Sequence, residues 1–345
     1  MPSFVTARVT GILQERAGLQ RVDTSEGRAY VLTDLVGPVA VGDDVVLNTT
    51  AVELGLGTGG WHVVHWNLAR RAWSDEGPGH ILKLRYTSLQ VDTGAGEEAG
   101  PVPGDLEGTP VVACTVHSQV PCVAAVARAV RPQTRVAYVM TDGGALPVVL
   151  SDLVAAMNNA KMLVGTVTAG HAFGGDIEAV SLPSALALAR HRLDAELIVV
   201  GMGPGVVGTG SSLGTTAVEA ASVLDSARAL GGHPILAVRA SSGDPRTRHR
   251  GVSHHSTTVL RLARPGVTVA LPAGVEGRLD VDLDVDLDIS THRIEHVEVP
   301  SMPAVLEAVG LVVTTMGRSA AEDPLFFAVS GAAGVAAAAR LGPLS

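Results

Sequence analysis

The chain has 345 residues, of which 46% are hydrophobic and 17% charged, and it carries a formal net charge of −9. A chain of this length and composition exceeds one typical core, so we expect a globular protein with one small and one large domain. The acidic balance argues against binding to a nucleic-acid backbone, and two cysteines are too few for a disulfide scaffold.

The first part of the chain is predicted to consist of short strands separated by turn signals. The predicted strands fall at 4–13, 18–24, 28–33, 44–49 and 61–66. No amphipathic helix fits between them, which predicts a small antiparallel β-barrel or sandwich domain over 1–75. The Gly- and Pro-rich stretch at 76–110 predicts a linker and a long surface loop.

From residue 111 onward, apolar strands alternate with helical segments. The helices are predicted at 120–130, 147–160, 183–193, 216–230, 252–263 and 319–340. Such alternation predicts right-handed βαβ units, and hence an α/β domain over 111–345 with a mostly parallel, Rossmann-like three-layer sheet. Ligands bind outside the carboxyl ends of the strands in such sheets. We therefore expect the polar clusters that follow these strands to share one crevice.

Three other segments bear on localisation and assembly. The stretch 279–289 alternates Val or Leu with Asp, which favours an edge strand with one acidic face over a calcium site. The apolar stretch 325–339 is short and rich in Ala and Gly, so we expect a buried helix or a homodimer interface and no membrane segment. The first residues lack the features of a signal peptide, and we expect a cytoplasmic protein.

A glycine-rich loop follows the strand predicted at 197–200. It contains a G-x-G-x-x-G pattern at Gly203, Gly205 and Gly208, followed by Gly210 and Ser211. Backbone N–H groups of such a loop can approach a phosphate at a helix N-terminus. The helix is predicted to begin only near Thr216, too late for a dinucleotide fingerprint. An anion cradle and a purely structural turn therefore both remain open.

Two further polar clusters and one histidine follow predicted strands. His171 is separated by a Gly-Gly pair from Asp176 and Glu178, a set suited to acid–base work or to a hard metal ion. The alternative is a helix N-terminus at which both carboxylates favour the dipole. Asp142 is either a metal ligand or acid–base group, or a turn-forming residue. His117 is either a ligand-binding residue or an internal histidine.

The densest polar group follows the strand at 235–240. It comprises Arg246, Arg248, His249, Arg250, Ser253, His254 and His255. Arginine offers a planar fork to phosphate or carboxylate, and histidine transfers protons near neutral pH. A zinc site from His254 and His255 alone is disfavoured, because adjacent residues point apart on a helix. A surface basic loop is the alternative, and Arg318 supplies one more positive charge before a later helix.

Six segments resemble a known family. They are HILKLRYTSLQ (80–90), HSQVPCVAA (117–125), AYVMTDGGALP (137–147), GTVTAGHAFGGDIEAV (165–180), VVGMGPGVVGTG (199–210) and RHRGVSHHS (248–256). They are similar to those of an uncharacterised bacterial family, domain of unknown function 3866, and the resemblance spans most of the chain. It implies no reaction, so functional inference depends on the residues themselves.

Two functional hypotheses follow. The first is an enzyme, a hydrolase or group transferase and not an oxidoreductase, acting on an anionic or phosphorylated small molecule. Its anion would be held by the glycine loop with Arg248, Arg250 or Arg318, and its catalytic residues would be Asp142, His171, Asp176, His254 and His255. The cofactor is undetermined, and a divalent metal held by Asp142, Asp176 and a histidine is one option. The second hypothesis is a non-catalytic sensor of a nucleotide-like ligand, or an assembly module.

Overall fold

The computed structural model describes residues 1–57, 59–274 and 291–342. The chain forms two compact units, Met1–Gly94 and Ala95–Ser345, and each is described by itself. The domain limits predicted at residues 75 and 110 are a finer division that stays a prediction. The acidic stretch at 279–289 lies outside the described residues, so its interpretation as an edge strand also stays a prediction.

The first unit contains a closed five-stranded barrel. Its strands are β1 (Phe4–Arg16), β2 (Leu19–Thr24), β3 (Gly27–Leu32), β4 (Asp44–Asn48) and β5 (His62–Asn67). They pair in the order β1-β2-β3-β5-β4, antiparallel throughout except for the parallel pair β3–β5. Alternate side chains such as Val22, Val31 and Leu47 point inward and are fully buried. The predicted barrel is therefore confirmed, with each strand within a few residues of its predicted bounds.

Short elements complete the first unit. Two one-turn helices, α1 (Thr33–Val36) and α2 (Thr50–Glu53), connect barrel strands, and a two-residue pair, β6 (Leu82–Lys83) and β7 (Val91–Asp92), follows. All three tryptophans of the chain, Trp61, Trp66 and Trp73, lie in this unit.

The second unit is built on an eight-stranded parallel sheet. In chain order its strands are β8 (Pro110–Cys114), β9 (Val136–Thr141), β10 (Gly165–Ala169), β11 (Ile177–Ala179), β12 (Leu197–Met202), β13 (His233–Ala237), β16 (Thr268–Pro272) and β17 (Arg293–Val297). A small antiparallel pair, β14 (Ala240–Ser241) and β15 (Gly251–Val252), lies between β13 and β16. The sheet order is β11-β10-β9-β12-β8-β13-β16-β17.

Helices cover both faces of this sheet. Their bounds are α3 (Gln119–Val130), α4 (Asp152–Asn159), α5 (Leu182–His191), α6 (Glu219–Ala229), α7 (His254–Leu262), α8 (Met302–Ala308) and α9 (Pro324–Ala338). Because successive strand residues face opposite ways, Val112 of β8 joins one core cluster with α3 and α8, while Val111 joins another with α5, α6 and α7. The predicted Rossmann-like three-layer architecture is confirmed.

The helix α9 is buried on most sides. It packs against α3 and against strands β8, β13 and β16. Gly331 and Gly334 allow this close approach, since a Cβ on Gly334 would collide with the carbonyl oxygen of Val123 in α3. The Ala-rich surface is thus covered within the chain, and the homodimer stays a prediction. Within the described ranges, no helix has the length and apolarity needed to cross a membrane.

Candidate functional site

Loops from neighbouring strands meet at the carboxyl edge of the parallel sheet. The loop after β9 lies directly against the loop after β12, where the N–H of Ala145 donates to the carbonyl of Pro204 at 2.8 Å. A Cβ on either Gly144 or Gly203 would collide with the backbone of the other loop. These two glycines therefore allow a backbone approach that no larger residue would permit.

The neighbouring loops extend the same edge in both directions. After β10, the backbone N–H of His171 donates to Asp142 Oδ2 at 3.0 Å. On the other side, Thr215 Oγ1 lies 3.4 Å from His255 Nε2, and a Cβ on Gly210 would lie 3.9 Å from the guanidinium of Arg248. The polar loops after β9, β10, β12 and β13 thus contact one another in series.

A pair of carboxyl groups lies at the β9 end of this edge. Glu219, the first residue of α6, accepts a hydrogen bond from Thr141 Oγ1, the last residue of β9. Burial, together with the charge of Asp142, raises the pKa of Glu219 to about 7. A carboxyl that titrates near neutrality beside an exposed carboxylate can act as a general acid or base.

The sequence alone did not identify Glu219 as a site residue. Its T-x-x-E spacing from Thr216 has the form of a capping box, but α6 begins at Glu219 itself, and the turn before it, Thr216–Val218, is capped by Thr215. Only the contact with Thr141, 78 residues away in the chain, identifies the position.

Asp176 lies far along β10 from His171. It accepts hydrogen bonds from the backbone N–H and the hydroxyl of Thr166, at 2.7 and 2.8 Å, near the amino end of β10. His171 follows the opposite end of the same strand. Because β11 pairs with β10 in parallel register, the chain between the two strands must return to the amino end of β10 before β11 begins. The predicted His171–Asp176 pair does not form, nor does a site that joins Asp142 to Asp176.

Glu178 also has local hydrogen-bond partners. Its carboxylate accepts from Thr168 Oγ1 and from the backbone N–H of Gly174, each at 2.6 Å. It lies within β11, so the predicted helix N-terminus at this position is absent as well.

His117 is buried behind the edge with both ring nitrogens in hydrogen-bonding distance of partners. Nδ1 lies 3.0 Å from the carbonyl of Met202, and Nε2 lies 2.7 Å from the hydroxyl of Ser151. Burial lowers the pKa of His117 to about 4, so the ring is neutral at physiological pH. These contacts favour the internal histidine over the ligand-binding residue.

The glycine loop after β12 folds into a small hairpin of its own. The N–H of Thr209 donates to Gly214 at 2.7 Å, that of Thr216 donates to Val207 at 2.9 Å, and Ser211 Oγ accepts from Gly214 at 3.0 Å. Because these groups are used within the loop and α6 begins at Glu219, the contacts favour a structural turn over a phosphate cradle.

The loop after β13 carries the arginine-rich segment on the turn between β14 and β15. Arg246 holds Asp244 through two bonds, Nε to Oδ1 at 2.9 Å and Nη2 to Oδ2 at 2.8 Å. Arg239 and Arg318 each place a nitrogen 3.7 Å from Asp244 Oδ2. Hydrogen bonding from Arg246 holds the pKa of Asp244 well below its usual range.

The N-cap of α9 closes this ion network. Asp323 is fully buried and accepts from Arg318 Nε at 3.1 Å and from Ser241 Oγ at 2.6 Å. Arg318 therefore lies within the network, as its predicted role in a shared site requires.

Three histidines cluster beside the network. One ring nitrogen from each of His249, His254 and His255 lies within 4.8 Å of the others. The rings of His254 and His255 are only 4.5 Å apart between centroids, so the expectation that these adjacent residues point apart was wrong. They occupy the first two positions of α7, and His249 reaches them from the turn between β14 and β15.

The environment keeps these histidines neutral. Burial, followed by the charge of Arg239, lowers the pKa of His249 and of His255 to about 3. The pKa of His254 is also lowered, by burial and then by Arg248. Neutral imidazoles retain a lone pair, so they can bind a metal ion or accept a proton.

The arginines around the cluster outnumber the carboxylates. Among the described residues, the ion pairs of Arg239, Arg246 and Arg318 use two buried carboxylates, Asp244 and Asp323, and Arg248 forms no ion pair. Hydrogen bonds from Ser319 and the charge of Arg318 lower the pKa of the exposed Glu322, which is a third carboxylate nearby, so four arginines face three carboxylates. Arg248 and Arg250 are exposed, and no hydrogen bond or ion pair holds either guanidinium within the part of the chain that the structure describes. In a chain with a net charge of −9, this is a local cationic site.

The fold and this edge define a Rossmann-like α/β protein with a histidine- and arginine-rich site, preceded in the chain by a small closed barrel. The chain belongs to the family described as "Protein of unknown function (DUF3866)", whose profile matches residues 28–334. The resemblance found in the sequence is thereby confirmed. No curated protein and no solved structure matches the chain.

Proposed function

We propose that the protein is an enzyme, a hydrolase or group transferase, that acts on an anionic and preferably phosphorylated small molecule. The observation that carries this proposal is the excess of arginine charge directly beside three neutral histidines at the carboxyl edge of a parallel sheet.

Arg248 is the main anion-binding residue in this proposal. Its guanidinium is exposed beside Gly210, whereas Arg239, Arg246 and Arg318 are committed to carboxylates behind it. An unpaired planar fork recognises phosphate or carboxylate oxygens in two-point contacts. The committed arginines add long-range attraction without direct contact.

Proton transfer is assigned to two groups. His254 is half-buried, and its Nε2 has no hydrogen-bond partner among the described residues, so it is available to a ligand. Glu219, with its pKa raised to about 7, is the second candidate, with Asp142 tuning its charge state. Thr215 contacts His255 of the histidine cluster and lies one turn before Glu219 in the chain. The segment that begins at Thr215 therefore connects the histidine cluster with Glu219.

The proposal is tested with a panel of phosphorylated small molecules and inorganic phosphate, using thermal shift and then phosphate release. A ligand at 100 times its Kd stabilises the folded protein by about 2.7 kcal/mol, so binding is visible as a raised Tm. Arg248→Ala should lose the shift, and His254→Ala should keep binding but lose turnover.

Arg261→Ala is the matched control, because it removes the same charge from an exposed position at the last turn of α7. It should behave as wild type. If no phosphorylated compound binds or turns over, or if Arg248→Ala responds like Arg261→Ala, the assignment is wrong.

One observation favours the alternative, a non-catalytic sensor of an anionic ligand. Among the described residues, the ring nitrogens of His249 and His255 have Ser253, Arg239 and Thr215 as hydrogen-bond partners, and neither ring is hydrogen-bonded to a carboxylate, so neither forms a His–carboxylate dyad. A sensor would show the Arg248-dependent thermal shift without turnover of any ligand that binds.

A further inference from the structure

We propose that His249, His254 and His255 form a binding site for a divalent transition-metal ion of the zinc class, with at least one coordination position open to an anionic ligand. Metal binding does not depend on the proposed function. It would supply that function with a Lewis acid, and because the Nε2 lone pair of His254 would then bind the ion, Glu219 would be the remaining proton-transfer group.

The spacing of the donor atoms supports a metal centre. One nitrogen from each ring lies within 4.8 Å of the other two, and ligands about 2.0–2.1 Å from a single zinc ion are necessarily within about 4.2 Å of each other. Side-chain rotations that move each nitrogen by a few tenths of an ångström bring the three nitrogens within this limit. An all-imidazole donor set suits zinc, copper, iron or nickel, and not calcium or magnesium.

An orphaned nitrogen is the second observation. His254 Nε2 is excluded from solvent and has no hydrogen-bond partner among the described residues. Buried polar atoms are nearly always satisfied, so an unpartnered nitrogen within a group of three histidines calls for a ligand. A metal ion bound by the lone pair of Nε2 would satisfy it.

Ser253 forms hydrogen bonds of the kind that orient metal-binding histidines in proteins. Ser253 Oγ lies 2.7 Å from His249 Nδ1 and can accept a hydrogen bond from Nδ1–H, which leaves the lone pair of Nε2 of that ring free to bind a metal ion. Ser253 also accepts the backbone N–H of His255 at 3.2 Å, so one side chain fixes both the ring and the start of α7.

Binding through His255 requires one rearrangement. Arg239 Nη1 donates to His255 Nδ1 at 3.1 Å, which occupies the lone pair of that nitrogen. When the His255 ring turns to the metal, the guanidinium of Arg239 can donate to Asp244 Oδ2 instead, which lies 3.7 Å from its Nη2. The shift is short because Arg239 already lies between the two acceptors.

Charge determines what fills the open position. The surrounding arginines already outnumber the carboxylates, and a divalent ion adds two more positive charges. An anionic oxygen ligand, such as hydroxide or a phosphate oxygen, would offset this charge. Arg248 is exposed at the same place and can hold the other oxygens of such a ligand.

The test uses full-length protein prepared without a histidine tag and stripped with a chelator. Zinc content is measured after dialysis against zinc, and Co²⁺ is titrated as a spectroscopic probe. We expect one metal ion per chain, visible d–d bands for Co²⁺, and a change in those bands when inorganic phosphate is added.

Variants locate the ion. His249→Ala and His254→Ala should each weaken metal affinity by about 100-fold or more. His233→Ala, which removes an exposed histidine at the start of β13, should bind as wild type does. Circular dichroism establishes that each variant is folded, and the wild-type cobalt spectrum tests the site without any variant.

The proposal is overturned if the wild-type protein binds no stoichiometric zinc or cobalt, or if both cluster variants retain wild-type affinity. Stoichiometric metal binding without turnover of any phosphorylated compound would support the metal site and refute the enzyme. Turnover by wild-type protein that binds no zinc or cobalt on titration would do the reverse.

Discussion

Glu219→Gln should stabilise the α/β unit at alkaline pH. The folded-state pKa of Glu219 is about 7, against an ordinary value of 4.5, because burial and Asp142 disfavour the charged form. This difference corresponds to about 3 kcal/mol when the carboxyl is fully ionised. Because the folded-state pKa is the higher one, the wild type loses stability as pH rises from about 4.5 to about 7. Glutamine keeps the oxygen that accepts from Thr141 and carries no charge.

The assay is urea unfolding at about pH 5.5 and about pH 8.5. Far-ultraviolet circular dichroism follows the long helices, all of which lie in the α/β unit, while tryptophan fluorescence follows the barrel unit, which holds Trp61, Trp66 and Trp73. The advantage of the variant in free energy of unfolding should grow by about 2 kcal/mol between these two pH values. The fluorescence transition should not change.

Glu307→Gln is the matched control, since Glu307 is exposed on α8 and should give no pH-dependent difference. An advantage of Glu219→Gln that is the same at both pH values would refute the reasoning. It would mean that the carboxyl is ionised in the folded protein across this range.

Three other perturbations test the edge of the sheet. Asp323→Ala should lower the free energy of unfolding by about 3 kcal/mol or more, measured by urea titration, because it removes the closer of the two buried carboxylates of Arg318 and the acceptor of Ser241 Oγ. Gly203→Ala should lower it by about 2 kcal/mol in the same assay, since the new Cβ collides with the carbonyl of Ala145; an unchanged midpoint would contradict the close approach. His117→Gln should flatten the loss of Tm between about pH 6.5 and about pH 4, because the depressed pKa makes the wild type lose stability as the pH falls through that window.

The architecture could be predicted from the sequence because it is encoded locally. Runs of Val, Ala and Leu that end at polar turns mark strands β8, β9, β10, β12 and β13 of the parallel sheet, and turn residues mark the barrel strands. The elements that escaped prediction are short: β11 has three residues, β16 and β17 have five each, and α8 has seven. Segments of this length show too little periodicity to be distinguished from a loop.

The site could be predicted only in part, because its key contacts join distant residues. The arginine- and histidine-rich segment was found because it follows a strand. The role of Glu219 depends on Thr141, and the histidine cluster depends on a turn that brings His249 to the start of α7. For Asp176, the Gly-Gly pair indicated that the chain folds back but not where it goes, and parallel pairing of β11 carries the carboxylate away from His171.

The place of α9 in the order of translation has a consequence for biogenesis. This helix covers β8, β13 and β16, yet the ribosome synthesises all three strands before it reaches residue 324. Until then, one apolar side of the sheet has no α9 to shield it. Nascent chains at that stage are exposed to aggregation and are natural clients of chaperones. Folding of this unit is therefore completed only after α9 has been synthesised, and not strand by strand.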